Sequence, residues 1–110
     1  AFSKQDYEIF CMHKRFIIFG CSSSGKSTLA KMLCNKFTHL TRIELDYLWW
    51  LPHWQMRDKD EFNTMVSDAI QQSPNGWIID GNYGSAKDIT WSKVEVIIWL
   101  EYEFWEVFYR

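Results

Sequence analysis

The chain has 110 residues, with 12 basic and 14 acidic side chains and a formal net charge of −2. This length fits a single domain, and a hydrophobic fraction of 47% excludes a disordered tail. Lys and Arg outnumber acids seven to two in residues 1–42, but acids outnumber them twelve to five in residues 43–110. This distribution argues against direct binding of nucleic acid.

The cysteine pattern and the hydropathy predict a cytoplasmic protein without a membrane partner. Cys11, Cys21 and Cys34 are odd in number and form no C-x-x-C pair, which favours free thiols in a reducing, cytoplasmic environment. The histidines show no metal-ligand spacing with them, and residues 1–14 show no signal-peptide pattern. A mean hydropathy of −0.29 and apolar runs too short for a membrane span predict no membrane partner.

The first part of the chain predicts a strand, a loop and a helix. Residues 1–13 show no clean hydrophobic period and are predicted to be a lead-in to a domain over residues 14–110. The continuous apolar run at 15–19 predicts a strand buried on both faces. Residues 20–25 form a loop by composition, and 26–37 predicts a helix with one apolar row.

The middle of the chain predicts a second strand and a second helix. Residues 41–45 alternate between apolar and polar, which favours a strand, whereas 46–57 is irregular and rich in aromatic residues. Asp58 is the predicted N-cap of a helix, with Glu61 three residues later. Apolar residues then recur at helical spacing, namely Phe62, Met65, Val66, Ala69 and Ile70. This pattern predicts an amphipathic helix.

The last part of the chain predicts two further strands. Turn residues at 73–76 end the helix, and the apolar runs at 77–79 and 94–100 predict the third and fourth strands. Residues 82–93 are predicted to be a loop or a short helix, and 103–110 the start of a helix. This order of strands and helices is typical of an α/β doubly wound fold with a parallel sheet.

One motif indicates the function. Residues 20–28 match the pattern G-x-x-x-x-G-K-[ST] at every fixed position, between a predicted strand and a predicted helix. The nine residues are Gly20, Cys21, Ser22, Ser23, Ser24, Gly25, Lys26, Ser27 and Thr28. A chance match in a Gly/Ser-rich loop is the alternative, and the flanking strand and helix make it the weaker one. The motif predicts a phosphate-binding loop.

The residue types of the motif suit a polyanion. Gly20 and Gly25 permit backbone conformations that a Cβ would hinder, so that successive N–H groups form a concave anion site at the positive end of a helix. Lys26 supplies a point charge for the β- and γ-phosphates, and the Ser27 hydroxyl is a ligand for Mg²⁺. We therefore expect phosphoryl chemistry at this loop.

Two acids follow predicted strands, where the ligand crevice of an open α/β sheet lies. Asp80 follows the third strand, and we expect it to hold Mg²⁺ directly or through water. The alternative is an ordinary aspartate opening the turn with Gly81. Asp46 follows the second strand and is suited to position or deprotonate an acceptor hydroxyl. Its alternative role is to cap local N–H groups.

With these residues in place, the sequence resembles the P-loop kinase-like proteins often called DNA topology modulation proteins, relatives of adenylate and shikimate kinases. The resemblance covers about residues 14–110 and is carried by four segments. They are residues 20–28, Leu45-Asp46 with Trp50, Pro52 and Trp54, residues 77–83 with Asp80-Gly81-Asn82-Tyr83, and residues 96–100. The second and third segments are much more particular than the phosphate loop.

The resemblance implies a P-loop NTPase three-layer sandwich with a parallel sheet in the order 2-3-1-4-5. It implies ATP and Mg²⁺ as cofactors and a small phosphoryl acceptor near Asp46, with Trp50, Trp54 and Asn82 as further substrate contacts. Packing onto the sheet is the alternative role of the tryptophans. Two departures stand out: Leu51 replaces the usual basic residue before the proline, and Glu101-Tyr102-Glu103 stands where the fourth strand is usually followed by an acid and a proline.

The resemblance also implies that family members continue beyond Arg110 into a basic lid and a fifth strand. We therefore expect a C-terminally truncated domain with the strand order 2-3-1-4. The fourth strand, 94–100, would then be an exposed apolar edge, through which the chain is expected to self-associate.

Two functions remain open from the sequence. The first is a kinase that transfers the γ-phosphoryl of ATP to a nucleotide-like molecule or a hydroxy metabolite, with Lys26 and Asp46 as catalytic residues. The second is a nucleotide-binding module without transfer activity, or a truncated product with a regulatory role.

Overall fold

A five-stranded, mostly parallel sheet with helices against it forms the centre of the computed structural model. The structure describes residues 3–20, 23–45, 48, 50–51, 55–56, 58–80, 87–101 and 104–109. In this part of the chain the strands are β1 Arg15–Gly20, β2 Thr41–Glu44, β3 Trp50–Leu51, β4 Gln55–Met56, β5 Trp77–Asp80, β6 Val96–Glu101 and β7 Phe104–Tyr109. The helices are α1 Lys4–Met12, α2 Ser23–Lys36, α3 Lys59–Gln71 and α4 Lys87–Trp91.

The main sheet has the order β2-β5-β1-β6-β7. The first four strands are parallel and β7 is antiparallel to β6. Strands β3 and β4 form a separate two-stranded antiparallel ribbon. The predicted α/β class is confirmed, with a sheet that is parallel except at one edge. The edge strand next to β6 is antiparallel, whereas the resemblance implies a parallel sheet.

The strand β7 corrects two expectations from the sequence. Residues 103–110 were expected to open a helix, and the fifth strand was expected to be missing. Phe104–Tyr109 instead pairs with β6 along its whole length. Only two residues separate the two strands, which is a hairpin connection and forces an antiparallel return. Aromatic and β-branched residues dominate this segment and favour extended backbone.

Pairing with β7 also removes the exposed edge expected at the fourth strand. Strand β6 hydrogen-bonds to β1 on one side and to β7 on the other. The two outer strands of this sheet are β2 and β7. Self-association through the backbone edge of β6 therefore does not follow from the fold.

The sheet is buried on both faces, as the apolar runs predict. On one face, Phe16, Ile18 and Ile78 pack with Leu29 and Leu33 of α2. On the other face, the cluster consists of Ile17, Ile43, Leu45, Phe62, Val66, Ile70, Trp77, Ile79 and Val94. Side chains alternate between the two faces along a strand, so one short run of apolar residues supplies both clusters.

Helix α1 lies where the sequence predicts a lead-in without regular structure. Ser3 caps it: its side chain accepts from the backbone N–H of Asp6, and Asp6 accepts from the N–H of Ser3, both at 3.1 Å. Ile9 and Phe10 are buried against the sheet. The Phe10 ring lies 5.0 Å from that of Phe16 and 5.1 Å from that of Phe37. Ile9 and Phe10 of α1 are therefore part of the core.

Helix α3 confirms the prediction made from its apolar spacing. The Asp58 side chain caps it by accepting hydrogen bonds from the N–H groups of Asp60 and Glu61. Phe62, Val66 and Ile70 are buried. The helix ends at the turn before β5, where Gly76 has φ +137°. That backbone conformation favours glycine over any residue with a Cβ.

A carboxylate joins the amino-terminal ends of two neighbouring strands. Glu95, just before β6, accepts from the backbone N–H of Lys14 at 3.0 Å and from Arg15 Nε at 3.3 Å. Its second oxygen lies 3.5 Å from His13 Nδ1. Burial acts to raise the pKa of Glu95, but these hydrogen bonds outweigh it and the pKa is lowered.

The first prediction tests whether α1 belongs to the core. Phe10→Ala is expected to lower the free energy of unfolding by about 3–5 kcal/mol, because it leaves a cavity between α1, α2 and the sheet. Met12→Ala, on the same helix but 76% exposed, is the matched control with an expected change of less than about 0.5 kcal/mol. Urea unfolding measures both, and equal small effects would show that α1 does not contribute to the core.

The second prediction concerns the pH dependence contributed by Glu95. Because its folded pKa is lowered, its stabilising effect is complete above the ordinary value of 4.5 and is lost as the pH falls through the folded pKa. Glu95→Gln is therefore expected to destabilise by about 1 kcal/mol near neutral pH and by much less under acid conditions. Urea titrations at both pH values measure the difference, with the exposed Glu106→Gln as control. A pH-independent loss would contradict this assignment.

Candidate functional site

The carboxyl ends of β2 and β5 meet the first turns of α2. Asp80 is the last residue of β5, and the parallel register sets it beside Glu44 of β2. Arg42 lies two residues before Glu44 and therefore on the same face of the sheet. Ser27 of α2 approaches that face. Strand pairing and helix packing thus bring together side chains that are far apart in the sequence.

Arg42 is the centre of this group of side chains. Its Nε donates to Asp80 Oδ1 at 3.1 Å and its Nη2 to Asp80 Oδ2 at 3.0 Å, a bidentate pair. The same Nη2 is 3.0 Å from Ser27 Oγ, and Nη1 is 3.3 Å from Glu44 Oε2. Ser27 Oγ lies 3.5 Å from Asp80 Oδ2. We call these four residues the Arg42 cluster.

The Arg42 cluster is buried at one end and open at the other. The side chain of Asp80 is 6% exposed and that of Arg42 18%, whereas Glu44 is 40% exposed. Burial acts to lower the pKa of Arg42, but the hydrogen bond and charge of Asp80, with Glu44, raise it above its ordinary value. The guanidinium is therefore a fixed positive charge next to Asp80.

Cys34 of α2 lies near the Arg42 cluster and is a free cysteine of intermediate exposure. Burial raises the pKa of its thiol; Arg42 acts to lower it, and Asp80 acts to raise it. The thiol of Cys34 is therefore less readily ionised than that of an exposed cysteine.

The predicted phosphate-loop residues 20–28 are divided between two elements: Gly20 ends β1, and residues 23–28 lie in the first turns of α2. The helix begins at Ser23 and not at the predicted residue 26, so the predicted loop over residues 20–25 was too long. Strand β1 ends at Gly20 and α2 begins at Ser23, so the positive end of the helix follows directly from the carboxyl end of a central strand. Lys26 is half-buried in the first turn of α2. A Cβ on Gly20 would overlap the carbonyl oxygen of Leu100 in β6, so packing between the two strands itself requires this glycine.

Several predicted site residues lie outside the part of the chain that the structure describes. They are Cys21, Ser22, Asp46, Trp54 and Asn82. Trp50 is in β3, opposite Met56, and only its backbone is described; the side chains of Ser23 and Ser24 are likewise not described. Among the predicted site residues that the structure does describe, Ser27 and Asp80, the two predicted magnesium ligands, lie together.

Arg42 is a residue of this site that the sequence patterns did not predict. The one feature of the sequence that could have indicated it is a long charged side chain within a predicted strand, two residues before Glu44. Recognising its partner required the register that sets Thr41–Glu44 beside Trp77–Asp80. Neighbours in sequence do not reveal that contact.

The donor atoms of Ser27 and Asp80 suit a hard divalent cation. A hydroxyl and a carboxylate oxygen are ligands that Mg²⁺ accepts, and Mg²⁺ keeps several waters when few protein ligands hold it. Among the residues described, no group of three or more His, Cys, Asp or Glu side chains converges on one point. The donor types of these two residues therefore fit a magnesium ion that would take most of its ligands from other oxygens. In this structure Arg42 bonds to both oxygens of Asp80.

A cavity of about 470 Å³ opens at the outer edge of β2. Arg42 and Glu44 line it, together with Leu48 and Gln72. The exposed end of the Arg42 cluster therefore faces a space large enough for a small molecule.

Comparisons with protein-family models, with curated proteins and with solved structures give no match to this chain. Within the described ranges, none of the helices has the length and apolar content that a membrane crossing requires.

The third prediction measures the two ends of the Arg42 cluster. Asp80→Asn removes the buried partner of Arg42 and is expected to lower the free energy of unfolding by about 3 kcal/mol. Glu44→Gln removes the exposed partner and is expected to cost less than about 1 kcal/mol. Urea unfolding without divalent cations measures both values. Equal losses would contradict the unequal burial of the two carboxylates.

Proposed function

We propose that this chain is an ATP-binding P-loop protein that transfers the γ-phosphoryl group to a small molecule. The observation that carries the proposal is the approach of Ser27 Oγ to Asp80 Oδ2, 3.5 Å apart at the carboxyl end of the sheet. The sequence motif predicts Ser27 as a magnesium ligand, and the position of Asp80 at the end of a strand independently predicts a second ligand. Their proximity is what a shared metal ion requires.

The start of α2 supports nucleotide binding. The first N–H groups of a helix have no intrahelical acceptors, and the helix dipole favours an anion there. Lys26 lies in that first turn and adds a full positive charge. A strand that ends at Gly20, a short loop and this helix together favour a polyphosphate as the ligand.

Positioning and charge account for the proposed reaction. Bound MgATP supplies the electrophilic γ-phosphorus. Lys26 neutralises charge on the β- and γ-phosphates, and Ser27 with Asp80 holds the metal ion, directly or through water. Asp46 would accept the proton of the acceptor hydroxyl, and bound ATP would supply the phosphoryl group with ADP as the leaving group. All four roles rest on the proposed identity of the loop.

The cavity beside β2 supports a small acceptor. Its volume of about 470 Å³ suits a nucleotide-like molecule or a hydroxy metabolite, and Arg42 and Glu44 at its wall offer both charges. Leu48, which also lines it, lies two residues after Asp46. Trp50, Trp54 and Asn82 are the further acceptor contacts that we propose, in keeping with the resemblance.

A nucleotide-binding module without transfer activity is the second candidate. It is favoured by one observation: Arg42 already satisfies both oxygens of Asp80, so the folded protein does not depend on a metal ion at this carboxylate. A phosphoryl-transfer assay separates the two candidates, since both share the nucleotide site.

The fourth prediction tests nucleotide binding and transfer separately. Lys26→Ala is expected to weaken ATP affinity about tenfold or more, because one unit charge beside the phosphates is lost. Asp46→Asn is expected to keep ATP affinity and to lower the transfer rate by about 10²-fold or more. Calorimetry measures affinity, and labelled ATP with a panel of nucleosides, nucleoside monophosphates and hydroxy metabolites measures transfer.

Lys31→Ala, exposed on the same helix as Lys26, is the matched control and is expected to change neither quantity. Unchanged ATP affinity in Lys26→Ala would overturn both candidate functions. ATP binding without transfer to any acceptor would leave the second candidate.

A further inference from the structure

The structure assigns to Arg42 the role of a built-in cation that occupies Asp80 until a divalent metal ion displaces it onto Glu44. This inference rests on the proposed function in one respect, namely that Ser27 and Asp80 are the metal ligands. It adds a regulatory step at that site: binding of the metal and movement of the guanidinium are coupled.

Arg42 already makes the contacts that a metal ion would make. Its guanidinium holds both oxygens of Asp80, at 3.0 and 3.1 Å, and the Ser27 hydroxyl at 3.0 Å. Asp80 is almost fully buried, so in the absence of metal its charge requires such a partner. Arg42 therefore stabilises the two metal ligands in their converged arrangement.

The guanidinium and a metal ion cannot both keep these positions. Mg²⁺ bonds to oxygen at about 2.0–2.1 Å and would stand within a few ångströms of Nη2, beside a second full positive charge in a poorly solvated setting. Repulsion between the two cations at this distance is much stronger than in open water. Entry of the metal therefore requires the guanidinium to turn away from Asp80.

Glu44 offers the guanidinium a second carboxylate. Its Oε2 is 3.3 Å from Arg42 Nη1, on the same strand and the same face of the sheet. Its side chain is 40% exposed, whereas that of Asp80 is 6% exposed, and the cavity at the edge of β2 provides room for the movement. Arg42 thus lies between a buried carboxylate, which the metal needs, and an open one, which it does not.

The fifth prediction follows from this competition. In a titration with Mn²⁺ in the absence of nucleotide, with free Mn²⁺ measured by electron paramagnetic resonance, Arg42→Met is expected to bind the ion at least about tenfold more tightly than the unmodified chain. Arg42→Lys, which retains the charge but not the bidentate contact, is expected to be intermediate. Glu44→Gln removes the second partner of Arg42 and is expected to weaken Mn²⁺ binding about threefold.

Two controls separate this competition from a change in folding. Arg15→Met removes an arginine–carboxylate pair at the opposite end of the sheet and is expected to leave Mn²⁺ affinity unchanged. Asp80→Asn in the Arg42→Met background is expected to abolish the gain. If Arg42→Met does not fold, two other variants test the same competition: Arg42→Lys is expected to bind Mn²⁺ more tightly than the unmodified chain, and Glu44→Gln more weakly.

Equal or weaker Mn²⁺ affinity in Arg42→Met, or no Mn²⁺ binding in any variant, would overturn the role of Arg42. The titration uses no nucleotide, so its outcome is separate from the ATP measurements on Lys26→Ala. Tighter Mn²⁺ binding with no ATP binding would leave the metal competition standing and overturn the proposed function. Normal ATP binding with unchanged Mn²⁺ affinity in Arg42→Met would overturn the metal competition and leave the proposed function standing.

Discussion

Parallel pairing of β1 with β5 on one side and with β6 on the other is the constraint on which the rest of the structure depends. It requires connections that return over the faces of the sheet, so helices cover both of them. It also places the carboxyl ends of neighbouring strands at one edge. Asp80, Arg42 and Ser27 meet there because strand direction and register bring them together, although any two of them are at least fifteen positions apart in the chain.

A buried carboxylate at that edge creates an electrostatic requirement. Asp80 lies where removal from water disfavours its charge unless an opposite charge compensates it. Arg42 meets the requirement with two hydrogen bonds, and the pair raises the pKa of the guanidinium. This contact stabilises the fold, and in our proposal it is also the contact that a metal ion must displace. In that proposal, one interaction gives Arg42 a structural role without metal and a regulatory role when a metal ion binds.

How much the sequence could predict depended on the range of the interactions involved. Local spacing sufficed for α3, whose capping residue Asp58 and apolar row are read within one segment. It failed for α1, where only Ile9 and Phe10 of nine residues are buried and the pattern is too weak. It also failed for β7, since a short aromatic segment fits a helix or a strand equally well until its pairing partner is known. Arg42 was missed for the same reason.

The positions of the phosphate-loop motif differ in how far packing alone explains the residue found there. Gly20 lies so close to Leu100 of β6 that the sheet would require glycine there even without a ligand, so this residue does not discriminate between a phosphate site and a tight strand contact. Strand packing does not explain Lys26 in the same way, because lysine side chains are rarely buried without a partner. Ser27, likewise, is a hydroxyl aimed at Asp80 and Arg42, where an apolar residue would fit a purely packed core. The proposed phosphate chemistry therefore depends on Lys26 and Ser27 far more than on Gly20.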